Sequence, residues 1–145
     1  MLDWIVLAVQ LLLAVLGGYQ LFFSLFGFFR RKRLAQYPAS KKFALLIAAH
    51  NEEAVVGALI DNLKKLDYPK ELYEIFVICD NCTDRTADIA RSMGVHACVR
   101  TNPNLRGKGY AIEWMLRELW KRPETYDGVV ILDADNLVSP DFLQH

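Results

Sequence analysis

The chain has 145 residues, enough for one ordinary domain at most. Lys+Arg and Asp+Glu both total 17, so the net charge is zero, which speaks against a broad nucleic-acid-binding surface. Hydrophobic residues make up 53% of the chain, and the excess over a usual globular share sits near the N-terminus.

From Trp4 to Phe29 the sequence is almost wholly apolar, broken only by Gln10, Gln20, Ser24 and three glycines. A bilayer-crossing helix needs about 20 such residues. A secretory leader has a basic start and a shorter apolar core; here the start is acidic (Asp3), and the basic block Arg30, Arg31, Lys32 and Arg33 follows the apolar run. The reading is a retained single-pass anchor in the cell membrane over residues 1–33. The basic flank and everything after it are expected in the cytoplasm. Residues 34–42 read as a polar link containing Pro38.

After the link the pattern changes. Phe43–Ala49 is a short apolar run, as in a strand buried on both faces. Glu53–Leu66 carries Val55, Val56, Leu59, Ile60, Leu63 and Leu66 at helical spacing. Glu74–Cys79 reads as a second strand, Thr83–Met93 as a helix closed by Gly94, and Val95–Val99 as a weaker third strand. Lys108–Trp120 presents Ala111, Ile112, Met115, Leu116 and Leu119 on one helical face, and Gly128–Leu132 is a fourth strand. Ser139 and Pro140 suit an N-cap and first helical position. This β-α-β-α-β-α-β order predicts an α/β fold, a parallel sheet with helices on both faces. Without later strands the fourth strand is expected to be poorly covered.

Polar residues cluster after three of the strands, where ligands of such sheets bind. His50, Asn51, Glu52 and Glu53 follow the first; Asp80, Asn81, Thr83 and Asp84 the second; Asp133, Asp135 and Asn136 the fourth. Two carboxylates one residue apart beyond a buried strand repel each other unless a cation lies between them. Asp133 and Asp135 therefore suit Mg²⁺ or Mn²⁺ bridging to a substrate phosphate, or else a solvated turn shaped by Asn136. Asp80 can accept from a nucleobase N–H, or serve an Asx-turn or helix cap. Arg106-Gly107-Lys108-Gly109 opens a helix and can approach phosphate, or be a plain surface turn. His50 suits packing on a planar ligand or a loop contact better than metal ligation or general-base work. Cys79 and Cys82 have C-x-x-C spacing, yet with only Cys98 besides they read as ordinary thiols in a reducing compartment rather than as a redox pair or zinc site.

Four motifs in order, Ala48-Ala49-His50-Asn51-Glu52-Glu53, Asp80-Asn81-Cys82-Thr83-Asp84, Gly107-Lys108-Gly109-Tyr110-Ala111 and Asp133-Ala134-Asp135, resemble those of family 2 glycosyltransferases with the GT-A fold. The resemblance covers about residues 43–145 and implies a partial Rossmann-like (GT-A) sheet holding the nucleotide-sugar half of the domain. It implies that Ala48, His50 and Glu52 line the nucleoside pocket. The family more often has proline and tyrosine at the first two. It further implies that Asp80 holds the base, Lys108 lies near the nucleotide, Asp133 contacts the nucleoside side and Asp135 binds the metal. The implied reaction is inverting transfer from a nucleoside-diphosphate sugar, UDP by the family's habit, to a glycan or lipid-linked acceptor. The family's catalytic base is expected beyond His145, so the isolated chain is expected to be inactive. Two other readings compete. One is a truncated fragment that only binds nucleotide. The other is an aspartyl-phosphate phosphatase, disfavoured because three strands precede Asp133 and Leu137 stands in place of the expected Thr or Val.

Overall fold

The computed structural model describes residues 2–27 and 38–144, so the basic block Arg30–Arg33 and residues 34–37 of the expected link lie outside the described residues. The chain divides into two compact units, Met1–Ala35 and Gln36–His145.

In the first unit the described residues form a helix, α1 (Leu2–Phe26), of 25 residues. At 1.5 Å per residue it is about 37 Å long, more than the hydrocarbon core of a bilayer. Its segment Asp3–Phe26 is long and apolar enough to cross a membrane, and none of it is buried. Tyr19, Phe22, Phe23 and Phe26 form a chain of ring contacts along its C-terminal turns, with Phe22 and Phe26 edge-on at 5.3 Å. The expected end at Phe29 lies outside the described residues.

The second unit is a four-stranded parallel sheet in the order β3-β2-β1-β4. Its strands are β1 (Phe43–Ala49), β2 (Tyr73–Asp80), β3 (His96–Arg100) and β4 (Gly128–Asp133). Helices α2 (Val56–Leu63) and α3 (Thr86–Ser92) make the first two crossovers, and α4 (Lys108–Leu119) the third. The two-residue repeat of a strand sends Leu45, Ile47, Ile75 and Val77 to one face with α2 and α3. Ala44, Leu46, Phe76 and Ile78 go to the other, under Ala111, Met115 and Leu119 of α4. Because both faces of β1 and β2 are covered, β1 is apolar throughout and β2 is apolar from Ile75 to Cys79. The chain runs outward from β1 to β3, then returns beneath α4 to put β4 on the free side of β1. That reversal opens a crevice at the carboxyl ends of β1 and β4.

The helices are shorter than their periodicity predicts. Residues 52–55 form turns instead of helix: Glu52 O accepts from the backbone N–H groups of both Val55 and Val56, at 3.1 and 3.0 Å. At the other end of α2, Lys65 N and Leu66 N bond three residues back, and Leu66 stays buried although the α-helix has ended. α3 begins at Thr86 rather than Thr83 because the preceding residues are taken up by contacts between loops. Ser139 and Pro140 lead only into a 3₁₀ turn, Phe142–Gln144. A second 3₁₀ turn, Lys70–Leu72, which periodicity does not announce, delivers the chain into β2. β4 has one strand neighbour, and its side chains Val129 and Ile131 are 41% and 45% exposed. This is the poor cover expected for the fourth strand.

At the amino end of the sheet Glu74 meets Lys42 Nζ at 2.8 Å and His96 Nε2 at 3.2 Å. The His96 ring stacks on Phe76, with centroids 4.6 Å apart. Burial pushes the Glu74 carboxyl up, but the hydrogen bond and charge of Lys42 and the charge of His96 outweigh it, leaving the group below its ordinary value of 4.5. A carboxyl depressed in the folded state adds stability above its unfolded value and loses that contribution as pH falls through the folded one. Urea midpoints measured from about pH 7 to pH 3 are expected to fall less steeply below pH 4.5 for Glu74→Gln than for the unaltered chain. An identical acid limb in both would refute the assignment.

Candidate functional site

Strand register sets the site. Ala48 of β1 lies opposite Asp133 of β4 and Ile78 of β2, and Asp80 of β2 lies opposite Arg100 of β3. The carboxyl ends of all four strands therefore reach one edge, and their following loops are tied together there.

Two asparagines make the first ties. Asn51 and Asn81, each just past a strand, take the left-handed backbone with φ of 57° and 50°, a region asparagine tolerates better than most residues. Asn51 Oδ1 accepts from Thr83 N at 2.8 Å, and Asn81 Oδ1 accepts from Asn102 N at 2.8 Å. The loop after β1 is thus fastened to that after β2, and the latter to that after β3. Asp84 adds a staple: its carboxylate accepts from Thr86 N at 3.0 Å, Thr86 Oγ1 at 2.6 Å and Glu53 N at 3.0 Å. Burial works against ionisation there, but these donors hold the Asp84 carboxyl below its usual value. Glu53 Oε2 returns the contact by accepting from Arg85 N at 3.1 Å, and Glu52 N donates to the buried Thr86 Oγ1 at 2.9 Å. Glu53 and Asp84 are accordingly occupied in holding loops.

A cleft of about 280 Å³ lies on this base, lined by Ala48, Ala49, His50, Glu52, Asp80, Asn81, Arg106, Gly107, Lys108 and Ala111. Five of the residues singled out in the sequence, Ala48, His50, Glu52, Asp80 and Lys108, share this wall. His50 Nδ1 donates to the Asp80 carbonyl at 2.7 Å, because a carbonyl can only accept. Gly107, with φ of 113°, turns the chain into α4 in a conformation that disfavours a side chain. The N-terminus of α4 thereby opens onto the cleft between Arg106 and Lys108, an arrangement that attracts anions.

Asp133 closes β4 and Asp135 stands on the turn after it, and both are exposed. Asp133 meets the cleft wall through an ion pair with Lys108. Asp135 lies outside the lining, and its carboxylate has no partner among the described residues. No group of three or more His, Cys, Asp or Glu that could hold a metal ion exists among the described residues. A metal held here would thus draw on Asp135 and at most Asp133, hard oxygen donors that would leave most coordination positions to water and ligand oxygens. That donor set fits Mg²⁺ or Mn²⁺ shared with a diphosphate.

The C-x-x-C pair is not a redox site. Cys79 is fully buried in the core, and burial pushes its thiol up to about 12; burial likewise raises Cys82. Reactive C-x-x-C thiols need the opposite shift. Cys82 instead packs between loops, accepting from Asn51 N at 3.4 Å and facing Ala49 O at 3.5 Å.

One residue escaped the sequence reading. Arg100 is only 6% exposed and pairs with the equally buried Asp80. It also donates to Leu105 O at 2.8 Å, so one guanidinium holds both Asp80 and the loop that carries Arg106 and Lys108. The apolar pattern ends the third strand at Val99, one residue short of Arg100. An arginine closing an apolar strand beside an aspartate closing its neighbour was the available signal.

The profile of Glycosyl transferase family 2 matches residues 44–145. The beta-monoglucosyldiacylglycerol synthase of Nostoc sp. is 35% identical over 108 residues, covering 70% of this chain and 22% of that protein. The probable glycosyltransferase YdaM of Bacillus subtilis is 32% identical over 112 residues, 73% of this chain and 25% of its own length. The chain thus spans about a fifth to a quarter of the curated relatives it matches. Among solved structures, the mannosyltransferase PcManGT of Pyrobaculum calidifontis, in complex with GDP-Man and Mn²⁺, superposes with a TM-score of 0.71 at 25% identity, covering 94% of this chain and 41% of that one. TarS of S. aureus in complex with UDP-GlcNAc gives 0.58 at 25% identity, over 70% of this chain and 29% of its own.

Lys108 competes with any cation for Asp133. Replacing it with methionine is expected to tighten Mn²⁺ binding severalfold in the absence of other ligands, read from the paramagnetic resonance signal of the free ion. Unchanged or weaker Mn²⁺ binding would show that Asp133 takes no part in holding the ion.

Proposed function

The chain belongs to glycosyl transferase family 2, and on that premise we propose that it supplies the donor half of a membrane-anchored, inverting transferase that uses a nucleoside-diphosphate sugar. The observation that carries this reading is the cleft shared by Ala48, His50, Glu52, Asp80 and Lys108, joined through the Lys108–Asp133 pair to the carboxylates after β4.

In this reading the nucleoside lies over Ala48, His50 and Glu52, and Asp80 accepts from the base. Lys108 moves from Asp133 to the diphosphate, which releases Asp133 to the nucleoside side. The open N-terminus of α4 and Arg106 add positive charge where the leaving diphosphate gains negative charge. Asp135 and the exposed turn after β4 hold a divalent cation, Mn²⁺ or Mg²⁺, which when bound supplies Lewis-acid neutralisation of the leaving group. The base that takes the acceptor's proton is assigned to none of these residues.

UDP is the favoured donor nucleotide. The solved relatives include one complex with GDP-Man and one with UDP-GlcNAc, so the choice turns on the base pocket. The acceptor is a glycan or lipid-linked molecule. An apolar helix able to cross a membrane and a beta-monoglucosyldiacylglycerol synthase among the relatives support a lipid acceptor, and the basic block Arg30–Arg33 after the apolar run supports a catalytic domain on the cytoplasmic face. The phosphatase reading is set aside, because the family match includes Asp133 and Asp135.

The test is metal-dependent nucleotide binding, followed calorimetrically with the full chain in detergent micelles. Asp135→Ala is expected to abolish the Mn²⁺-dependent part of UDP binding, whereas Glu118→Ala, whose side chain pairs with Lys121 on the exposed side of α4, should leave it intact. Equal binding by both variants would remove Asp135 from the site.

A further inference from the structure

Asp80 presents its carboxylate to the cleft with its two oxygens in different situations. Each carboxylate oxygen has two acceptor positions. Oδ1 accepts from Arg100 and from Asn81 Nδ2, the latter at 3.0 Å, so both of its positions are filled. Oδ2 accepts nothing among the described residues. The orientation of the Asn81 amide follows from chemistry: its oxygen must face the donating Asn102 N–H, at 2.8 Å, and so its NH₂ faces Asp80. The left-handed backbone at Asn81 and the strand register that sets Arg100 beside Asp80 hold this arrangement from both sides.

From this the geometry points to Asn81 and Arg100 as the residues that determine base specificity, by leaving Asp80 one free oxygen in place of two, which selects a uracil or thymine base over guanine. The inference rests on the cleft being the donor-nucleotide site. Uracil and thymine each offer one ring N–H between two carbonyls, which one free carboxylate oxygen satisfies. Guanine offers two adjacent donors, its ring N–H and its amino group, and pairs well with a carboxylate only when both oxygens are free. With Oδ1 saturated, the two parallel guanine donors must share Oδ2, so neither reaches good geometry, a loss that polar sites discriminate. Cytosine and adenine present a ring nitrogen lone pair where uracil has its N–H, which the free oxygen repels, so only their amino group can donate. Arg100 also compensates the charge of a carboxylate buried to 6% exposure, which would otherwise be costly to leave unpaired.

The experiment is calorimetric titration of the full chain in detergent micelles, with Mn²⁺ present, against UDP, dTDP, GDP and CDP. UDP or dTDP is expected to bind about tenfold or more tighter than GDP, with CDP weakest. Asn81→Gly keeps the left-handed turn but removes the amide donor, opening one position on Oδ1. That variant is expected to lower the UDP-to-GDP affinity ratio by about threefold or more. GDP binding as tightly as UDP to the unaltered chain would overturn the proposal, as would an unchanged ratio in Asn81→Gly. Should that variant not fold, the series on the unaltered chain decides alone. Absence of binding by all four nucleotides would instead refute the donor-site reading, and this inference with it.

Discussion

The double pairing of β1 is the constraint on which the rest of the unit depends. Seven residues of β1 pair in register with β2, and six of the same residues with β4. A slip by one residue would turn Leu45 and Ile47 out of one core and Ala44 and Leu46 out of the other, so both hydrophobic layers oppose it. The same register puts Ala48 opposite Asp133, and carries through β2 to put Asp80 opposite Arg100. The polar edge is thus positioned by apolar packing well below it.

Charge at that edge is largely balanced internally. Lys108 faces Asp133 and Arg100 faces Asp80, while the Asp84 carboxylate is absorbed by backbone and hydroxyl donors. The two ion pairs differ in kind. Arg100–Asp80 is buried, so each charge depends on the other. Lys108 and Asp133 are about half exposed, in water that screens the pair, so either partner can be drawn away at modest cost. One pair therefore behaves as framework and the other as an exchangeable contact, although both join a basic to an acidic residue across neighbouring elements.

Much of this could be read from the sequence. FALLIAA and EIFVIC announce strands buried on both faces, because continuous apolar runs of that length have no other economical use in a βαβ series. The placement of His50, Asp80 and Asp133 at strand ends followed from the same pattern. Helix limits were less legible. Val55 and Thr83 look helical by spacing, yet the backbone near them is recruited to join loops distant in sequence, and periodicity holds no information about that. Arg100 was missed for a related reason. Its meaning lies in its neighbour 20 residues earlier, across a strand pair whose register only the assembled sheet reveals.

The orientation of the Asn81 amide has an evolutionary consequence. Its direction is set by a main-chain N–H, that of Asn102, rather than by another side chain. Substitutions at position 102 by any residue except proline retain that N–H, so the contact is largely insensitive to point changes there. Altering the spacing between β3 and Asn102 by one residue would remove or redirect the donor and free the amide to turn over. If the cleft takes the donor base, its preference would then drift among related chains through small insertions and deletions in a surface loop, while the aspartate at the end of β2 stays the same.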